Sequence, residues 1–355
     1  MTNNIENSFI TLITLTSFIV FFIVYKFSNS PRLNLFLDLD FNKPQSFHSS
    51  PIPRVGGLAS IISLIIFFAA FNLFFKAELG SYIYFSLSFF LLGFLEDVKI
   101  GLNPSLRLLL MALILLIGFI FFEIQITKTG FYFLNEWLQN SLFQYFFLLL
   151  CFLFIINGCN LVDGFNGLLA IHLIIINLIL LIFHIDYSNS INIFLTIGQI
   201  FILFIFLLFN FPYAKIFFGD SGAYLFGSIT ALNVINTSIL YENISPFFFS
   251  VLLFYLFFEV FFSFCRKIKM RKSPLKPDSL HLHMLIFYFL NKRNLKSSNY
   301  LVAIVINLIF LLFITPAIFL KEEALFCRYW FFVLIIVYLY IYNYLLKIKS
   351  NDKNY

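Results

Sequence analysis

Apolar runs long enough to cross a bilayer recur from one end of the chain to the other. There are about eleven, at roughly 8–25, 55–75, 81–95, 105–122, 142–156, 168–184, 192–211, 222–240, 246–265, 299–320 and 328–346. A hydrocarbon core about 30 Å thick asks for about 20 mostly apolar helical residues. Within it every backbone N–H and C=O must be bonded inside the protein. Such a chain is expected to be an all-α integral membrane protein, a single polytopic domain with about eleven transmembrane helices. The run at 81–95 is short and needs tilt or flanking residues to span. With 61% hydrophobic and 11% charged residues, an ordinary soluble domain is excluded.

The net charge of +6 would suggest nucleic acid in a soluble protein. Here the excess of Lys and Arg on cytoplasmic loops explains it better. If the loop after the first run is cytoplasmic, that side holds Lys26, Arg32, Lys43, Arg54, Lys99, Arg107, Lys215, the basic cluster between Arg266 and Lys296, and Lys347, Lys349 and Lys353. Only Lys76, Lys128, Lys321 and Arg328 remain on the other side. The N-terminus is therefore expected to be periplasmic and the C-terminus cytoplasmic, with cytoplasmic loops at about 26–54, 96–105, 157–167, 212–221 and 266–298 and no nucleic-acid partner. The first run lacks a basic flank and a small-residue cleavage site and reads as a retained span. Cys151, Cys159, Cys265 and Cys327 show no CxxC spacing, and so suggest neither a disulfide framework nor a metal site.

Against this apolar background the polar stretches stand out, and all the dense ones fall on the cytoplasmic side. The stretch 157–167 reads NGCNLVDGFNG, with Asn157, Asn160, Asp163 and Asn166 between glycines. An Asp at mid-bilayer costs roughly 2.5–3.5 kcal/mol, so a polar turn at the surface or a binding site must receive this one. Glu96 and Asp97 are adjacent at the end of a run. Neighbouring carboxylates repel, and a divalent cation or a base with a raised pKa explains them. Arg107 follows and can meet an anionic head group or snorkel. Asp220, between Gly219 and Ser221, opens a helix, where backbone N–H groups can face an anion; a simple N-cap is the competing reading. Phe217 can stack on a base, although one phenylalanine among 55 carries little weight alone. His48 and Arg54 are candidate phosphate contacts. Glu259 is an intramembrane acid and should have a partner nearby. His281 and His283, two apart, share a side only in extended chain, which argues against a helical zinc face. The outward loop at about 123–141 suggests a small hairpin around Gly130, with Trp137 at the interface.

A transporter more often places its ionisable groups near the bilayer midplane. Carboxylates from three loops, with basic and histidine groups from three more, suit an interfacial enzyme handling two anionic substrates. At this point five motifs in order, from about residue 40 to 284, resemble the polytopic polyprenyl-phosphate N-acetylhexosamine-1-phosphate transferase family. They are HSSPIPRVGG, GFLEDVKIGLNPSLRL, NGCNLVDGFNGLLA (similar to NxxNLxDGxDGLA), KIFFGDSGAYLFG (similar to KxFxGDxGSxxLG) and SPLKPDSLHLHM (similar to SPxxxDxxHxHH). The resemblance implies transfer of sugar-1-phosphate from a UDP-N-acetylhexosamine to a polyprenyl phosphate, with release of UMP and a need for Mg²⁺, with Mn²⁺ as a substitute. It implies Asp220 and Asn160 as metal ligands with Asp163 close by, and Glu96 and Asp97 as the acidic pair given base or metal roles. Phe217 and Asn166 would lie at the uracil ring, and His281 and His283 at phosphate. The departures are Glu96 for the usual first Asp, one extra residue before Arg107, Asn166 for Asp, Gln45 for Arg and Met284 for the last His. Two other readings stay open: the sister transferase of phospho-muramoyl-pentapeptide, and a transporter without catalysis.

Overall fold

The computed structural model describes residues 2–28, 36–38, 51–274, 276–293, 295 and 298–351, with side chains from Ser8 onward. The chain runs through α1 (Thr2–Ser28), a two-residue ladder of β1 (Leu37–Asp38) and β2 (Ile52–Pro53), α2 (Gly56–Phe75), α3 (Gly80–Asp97), α4 (Pro104–Phe121), α5 (Tyr132–Trp137), α6 (Ser141–Val162) and α7 (Leu168–Asp186). It continues through α8 (Ser190–Asn210), α9 (Gly219–Leu240), α10 (Pro246–Leu252), α11 (Phe254–Lys269), α12 (Leu282–Lys292), α13 (Ser298–Phe319) and α14 (Ala324–Ser350). The ladder is antiparallel and pairs Leu37 with Pro53 and Asp38 with Ile52. The protein is an all-α polytopic membrane protein. Among the described residues nine helices are long and apolar enough to cross a membrane. The α10–α11 pair, bent by 75°, makes a tenth if it is one span. All eleven apolar runs lie on helices, with 246–265 divided between α10 and α11. The run at 81–95 belongs to α3, which has a span's length but carries Glu96 and Asp97 in its last turn.

The molecule is arranged around α9. It is the least apolar of the nine spans and the most buried, because α2, α3, α6 and α7 all pack on it. Close approach makes this possible. A Cβ on Gly93 of α3 would stand 2.5 Å from the Asp220 carbonyl and the Ser221 Cα, so only glycine lets these two backbones touch. Deeper in the bundle Asn233 of α9 donates to Gln199 of α8 at 2.6 Å and to Asn177 of α7 at 3.3 Å. Such bonds join helices where lipid offers no alternative partner. The C-terminal helices form a second group, with α10, α12 and α13 packed on α14.

One expectation changes. Residues 132–137 form the short helix α5 and not a hairpin at Gly130. Asn135 Oδ1 accepts from the Thr129 N–H and hydroxyl and closes a helical entry, and Phe131 is held edge-on by Phe247. The segment expected as the loop at 266–298 contains the end of α11 and the helix α12.

Candidate active site

The α9 N-terminus is capped from another helix. Asp97, 2% exposed at the end of α3, accepts the Asp220 N–H with Oδ1 and the Ser221 N–H with Oδ2, both at 3.0 Å, and the Ser221 hydroxyl with Oδ2. A helix start leaves N–H groups unpaired and carries partial positive charge. A carboxylate satisfies both needs. Gly219 enables it twice over: its φ is +76°, and a Cβ there would meet the Asp97 carboxylate at 2.6 Å. Asp220 is therefore not the cap. It sits in the first turn with its carboxylate partly exposed, and the anion facing the helix start is Asp97.

Two guanidinium groups converge on Asp220. Arg54 Nη1 lies 3.9 Å from Asp220 Oδ1, and Arg107 Nη1 lies 3.6 Å from Oδ2 and 3.9 Å from Glu96 Oε1. Arg54 is steered by Asp38, whose Oδ2 accepts from its Nε at 3.1 Å and its Nη2 at 2.8 Å. Burial opposes the Arg54 charge, but Asp38 and Asp220 outweigh it and raise its pKa above the ordinary value. Backbone bonds lace this loop to the α9 approach: Phe217 N–H to the Pro53 carbonyl, and Gly56 and Gly57 N–H to the Phe217 and Phe218 carbonyls, each at 2.9 Å. Glu96 is tied down by the Leu102 N–H, which donates to Oε1 at 3.0 Å.

From the end of α6 come Asn160 and Asp163. Asn160 Nδ2 donates to the Tyr224 hydroxyl at 3.1 Å, and that hydroxyl reaches Asp220 Oδ2 at 3.5 Å. Asp163 follows the last residue of α6. Burial, then the charge of Asp220, push its pKa well above the ordinary carboxylate range. Among the described residues no hydrogen bond or ion pair reaches its carboxylate. Asp220, Asp163 and the Asn160 amide oxygen are hard oxygen donors that suit Mg²⁺. Among the described residues no group of three or more His, Cys, Asp or Glu side chains could by itself hold a metal ion. The open set fits an ion that keeps several waters and takes substrate phosphate oxygens.

The turn after Asp163 is pinned rather than free. Asn166 donates its N–H to Asn299 Oδ1 at 3.0 Å and its Nδ2 to the Pro212 carbonyl at 2.9 Å. Gly167 N–H donates to Asn210 Oδ1 at 2.6 Å. Phe217, half-buried, lines the neighbouring loop. His48 lies outside the described residues.

The histidines are not brought into this cluster. His281 is 2% exposed and His283 is 0% exposed. His281 Nδ1 lies 3.0 Å from Glu259 Oε1, and Nε2 lies 3.4 Å from Asp278 Oδ1. Its backbone is extended, so the two rings share a side and lie parallel 5.5 Å apart. His283 Nδ1 meets the Tyr255 hydroxyl at 3.1 Å, and burial pushes its pKa down to about 3. Among the described residues neither ring bonds to Asp97, Asp163 or Asp220. The link to the 157–167 stretch is Phe165, whose ring lies 5.7 Å from that of His283. Glu259 has the partner expected of it, and also accepts from Tyr338 and from the Leu282 N–H. Reading by sequence missed Asp38, Ser221 and Tyr224. Tyr224 left a signal, because it stands one helical turn after Asp220 on the same face.

The profile described as Glycosyl transferase family 4 matches residues 79–238. The chain is 27% identical over 248 residues to an undecaprenyl-phosphate alpha-N-acetylglucosaminyl 1-phosphate transferase of Thermotoga maritima, covering 69% of this chain and 71% of that protein. It is 26% identical over 306 residues to a probable undecaprenyl-phosphate N-acetylglucosaminyl 1-phosphate transferase of Bacillus subtilis, covering 83% and 80%. It is 30% identical over 239 residues to a phospho-N-acetylmuramoyl-pentapeptide-transferase of Dictyoglomus thermophilum, covering 63% and 73%. Matches of this extent, centred on the helices that carry the acidic cluster, lead to one conclusion: the chain belongs to glycosyl transferase family 4.

Proposed function

We propose that the protein transfers sugar-1-phosphate from a UDP-N-acetylhexosamine, N-acetylglucosamine or a close relative, to undecaprenyl phosphate. The products are undecaprenyl-diphospho-sugar and UMP, and the step initiates a cell-surface glycan such as O-antigen. The reaction takes place at the cytoplasmic face of a bacterial inner membrane, in a bundle with its N-terminus periplasmic and its C-terminus cytoplasmic. The observation that carries this reading is the convergence of Glu96, Asp163 and Asp220 with Arg54 and Arg107 at the head of α9, in a chain whose relatives include transferases of that name.

Both substrates are anionic, and Arg54 and Arg107 offset their repulsion with charge-assisted bonds. Asp220 and Asn160, with Asp163, would hold Mg²⁺, which when bound neutralises the diphosphate and the departing UMP. Asp97 holds the head of α9, and so Asp220, in place. Asn166 and Phe217 border the site where the uracil is expected. A lipid phosphate oxygen attacks the sugar-bound phosphorus, the bond to the UMP oxygen breaks, and UMP leaves with the electron pair. His281, on Glu259 and Asp278, and His283, on Tyr255, act by holding the start of α12. A route in which a carboxylate attacks first would leave a phosphosugar adduct on Glu96, Asp97 or Asp163, and trapping one would overturn direct attack.

The test is UMP release by purified protein given undecaprenyl phosphate, Mg²⁺ and a panel of UDP-N-acetylhexosamines. Release that needs both lipid and metal, and is lost in Asp220→Asn, is expected. The match to a muramoyl-pentapeptide transferase at 30% identity favours a second reading, so UDP-muramoyl-pentapeptide belongs in the panel. Turnover of that donor alone would replace the first reading. Substrate flux without UMP release would point to a transporter.

A further inference from the structure

Tyr224 lies at an unspecified position of the KxFxGDxGSxxLG pattern, so the resemblance assigns it nothing. Its side chain is fully buried and its hydroxyl touches two residues of the candidate site at once. Asn160 Nδ2 donates to it at 3.1 Å, and it reaches Asp220 Oδ2 at 3.5 Å. The Arg107 guanidinium sits over its ring, 6.0 Å from the centroid.

A phenol has one proton to donate and lone pairs to accept. A hydrogen bond to a carboxylate is stronger than one to a neutral amide, so the proton goes to Asp220. Only acceptor capacity is then left for Asn160, which must present its NH₂ to the hydroxyl oxygen. An amide held by its nitrogen turns its oxygen the other way. Without the hydroxyl, the two faces of the Asn160 amide compete. One of them offers N–H donors, which repel a cation.

We infer that Tyr224 is a positioning residue that holds the Asn160 amide by its nitrogen and leaves its oxygen to serve as a divalent-cation ligand. This rests on the proposed metal role of Asn160 and Asp220, and the experiment separates the two ideas. Outer partners of this kind typically change metal affinity about 10–100-fold.

The probe is Mn²⁺ alone, titrated into detergent-purified protein and followed by electron paramagnetic resonance of the free ion, without substrate or turnover. Tyr224→Phe keeps the ring under Arg107 and removes only the hydroxyl. It should weaken Mn²⁺ binding at least about tenfold, with a melting temperature showing the bundle intact. Tyr224→Leu removes the ring as well and should weaken Mn²⁺ no further, while raising the KM for the UDP-sugar through a loosened Arg107. Equal Mn²⁺ affinity in Tyr224→Phe and the unaltered protein would overturn this inference alone. Absence of Mn²⁺ binding by the unaltered protein would overturn the metal reading and this inference with it.

Discussion

Asp97 accepts three hydrogen bonds from the first turn of α9, and so occupies N–H groups that a helix start otherwise offers to a ligand anion. Replacing it by Asn puts an NH₂ where a second acceptor is needed. Asp97→Asn should lower stability by about 1–3 kcal/mol, read from thermal unfolding in detergent. UMP release should fall on the order of 100-fold, because displacements of 1 Å at a reacting centre cost that much. Full activity would show that Asp220 does not depend on its cap. Arg54 makes a different demand. Its Nε and Nη2 hold Asp38 while Nη1 turns to Asp220, a division that one lysine ammonium cannot copy. Arg54→Lys should therefore lose most activity in the same assay although the charge is kept; activity near that of the unaltered protein would reduce Arg54 to a point charge. Residue types were legible in the sequence where a carboxylate or amide stood out against apolar neighbours, as for Asp163, Asn160 and Glu96. Asp38 was not legible, because its tie to Arg54 depends on how the first loop folds back through the short ladder. Nor was the role of Asp97 as the cap of a helix more than a hundred residues away.

At the scale of elements, two contacts matter, one at the site and one beside it. The first is the crossing of α3 and α9 at Gly93. Gly93→Ala inserts a methyl where the Asp220 backbone already stands, so the helices must part. It should lower the melting temperature and abolish UMP release together, whereas stable and active protein would show that the crossing is loose. The second is the latch between α11 and the start of α12, made by Glu259, His281, Asp278 and Arg266. Breaking a buried pair by removing one partner costs about 3–5 kcal/mol. Glu259→Gln should accordingly lower the melting temperature of the detergent-purified protein. The latch also has a pH signature. Burial opposes ionisation of Asp278, but the Arg266 bonds and the His281 charge outweigh it and hold its pKa below the usual value. The fold thus favours the ionised form. Its contribution is whole above the unfolded value of about 4 and is lost as pH falls through the lower folded value. The melting temperature should lose this contribution only below about pH 4, and an unchanged melting temperature there would remove Asp278 from the latch. The sequence announced Glu259 as an acid needing a partner, and left its partner, some twenty residues on in another helix cap, to the tertiary fold.

For the whole molecule, the distribution of Lys and Arg predicts which side each loop faces. In a cysteine-free background, a membrane-impermeant thiol reagent should label a cysteine placed at Lys128 in intact cells and one placed at Lys272 only after lysis. The reverse pattern would invert the proposed topology and move the site to the other face. The sequence by itself determined the class of protein, because runs of apolar residues at bilayer length admit helices and little else. It also determined the chemistry on offer, because carboxylates, amides and guanidinium groups at the ends of such runs are too costly to leave without a role. What only the tertiary structure decided is which of those groups meet. Packing of α2, α3, α6 and α7 around α9 gathers acids from separate turns at one helix end and gives the anion-binding N–H groups to Asp97, while His281 is left on Glu259 and His283 on Tyr255. Those pairings follow from helix contacts between residues far apart in the chain, and local patterns of hydropathy and spacing carry no record of them.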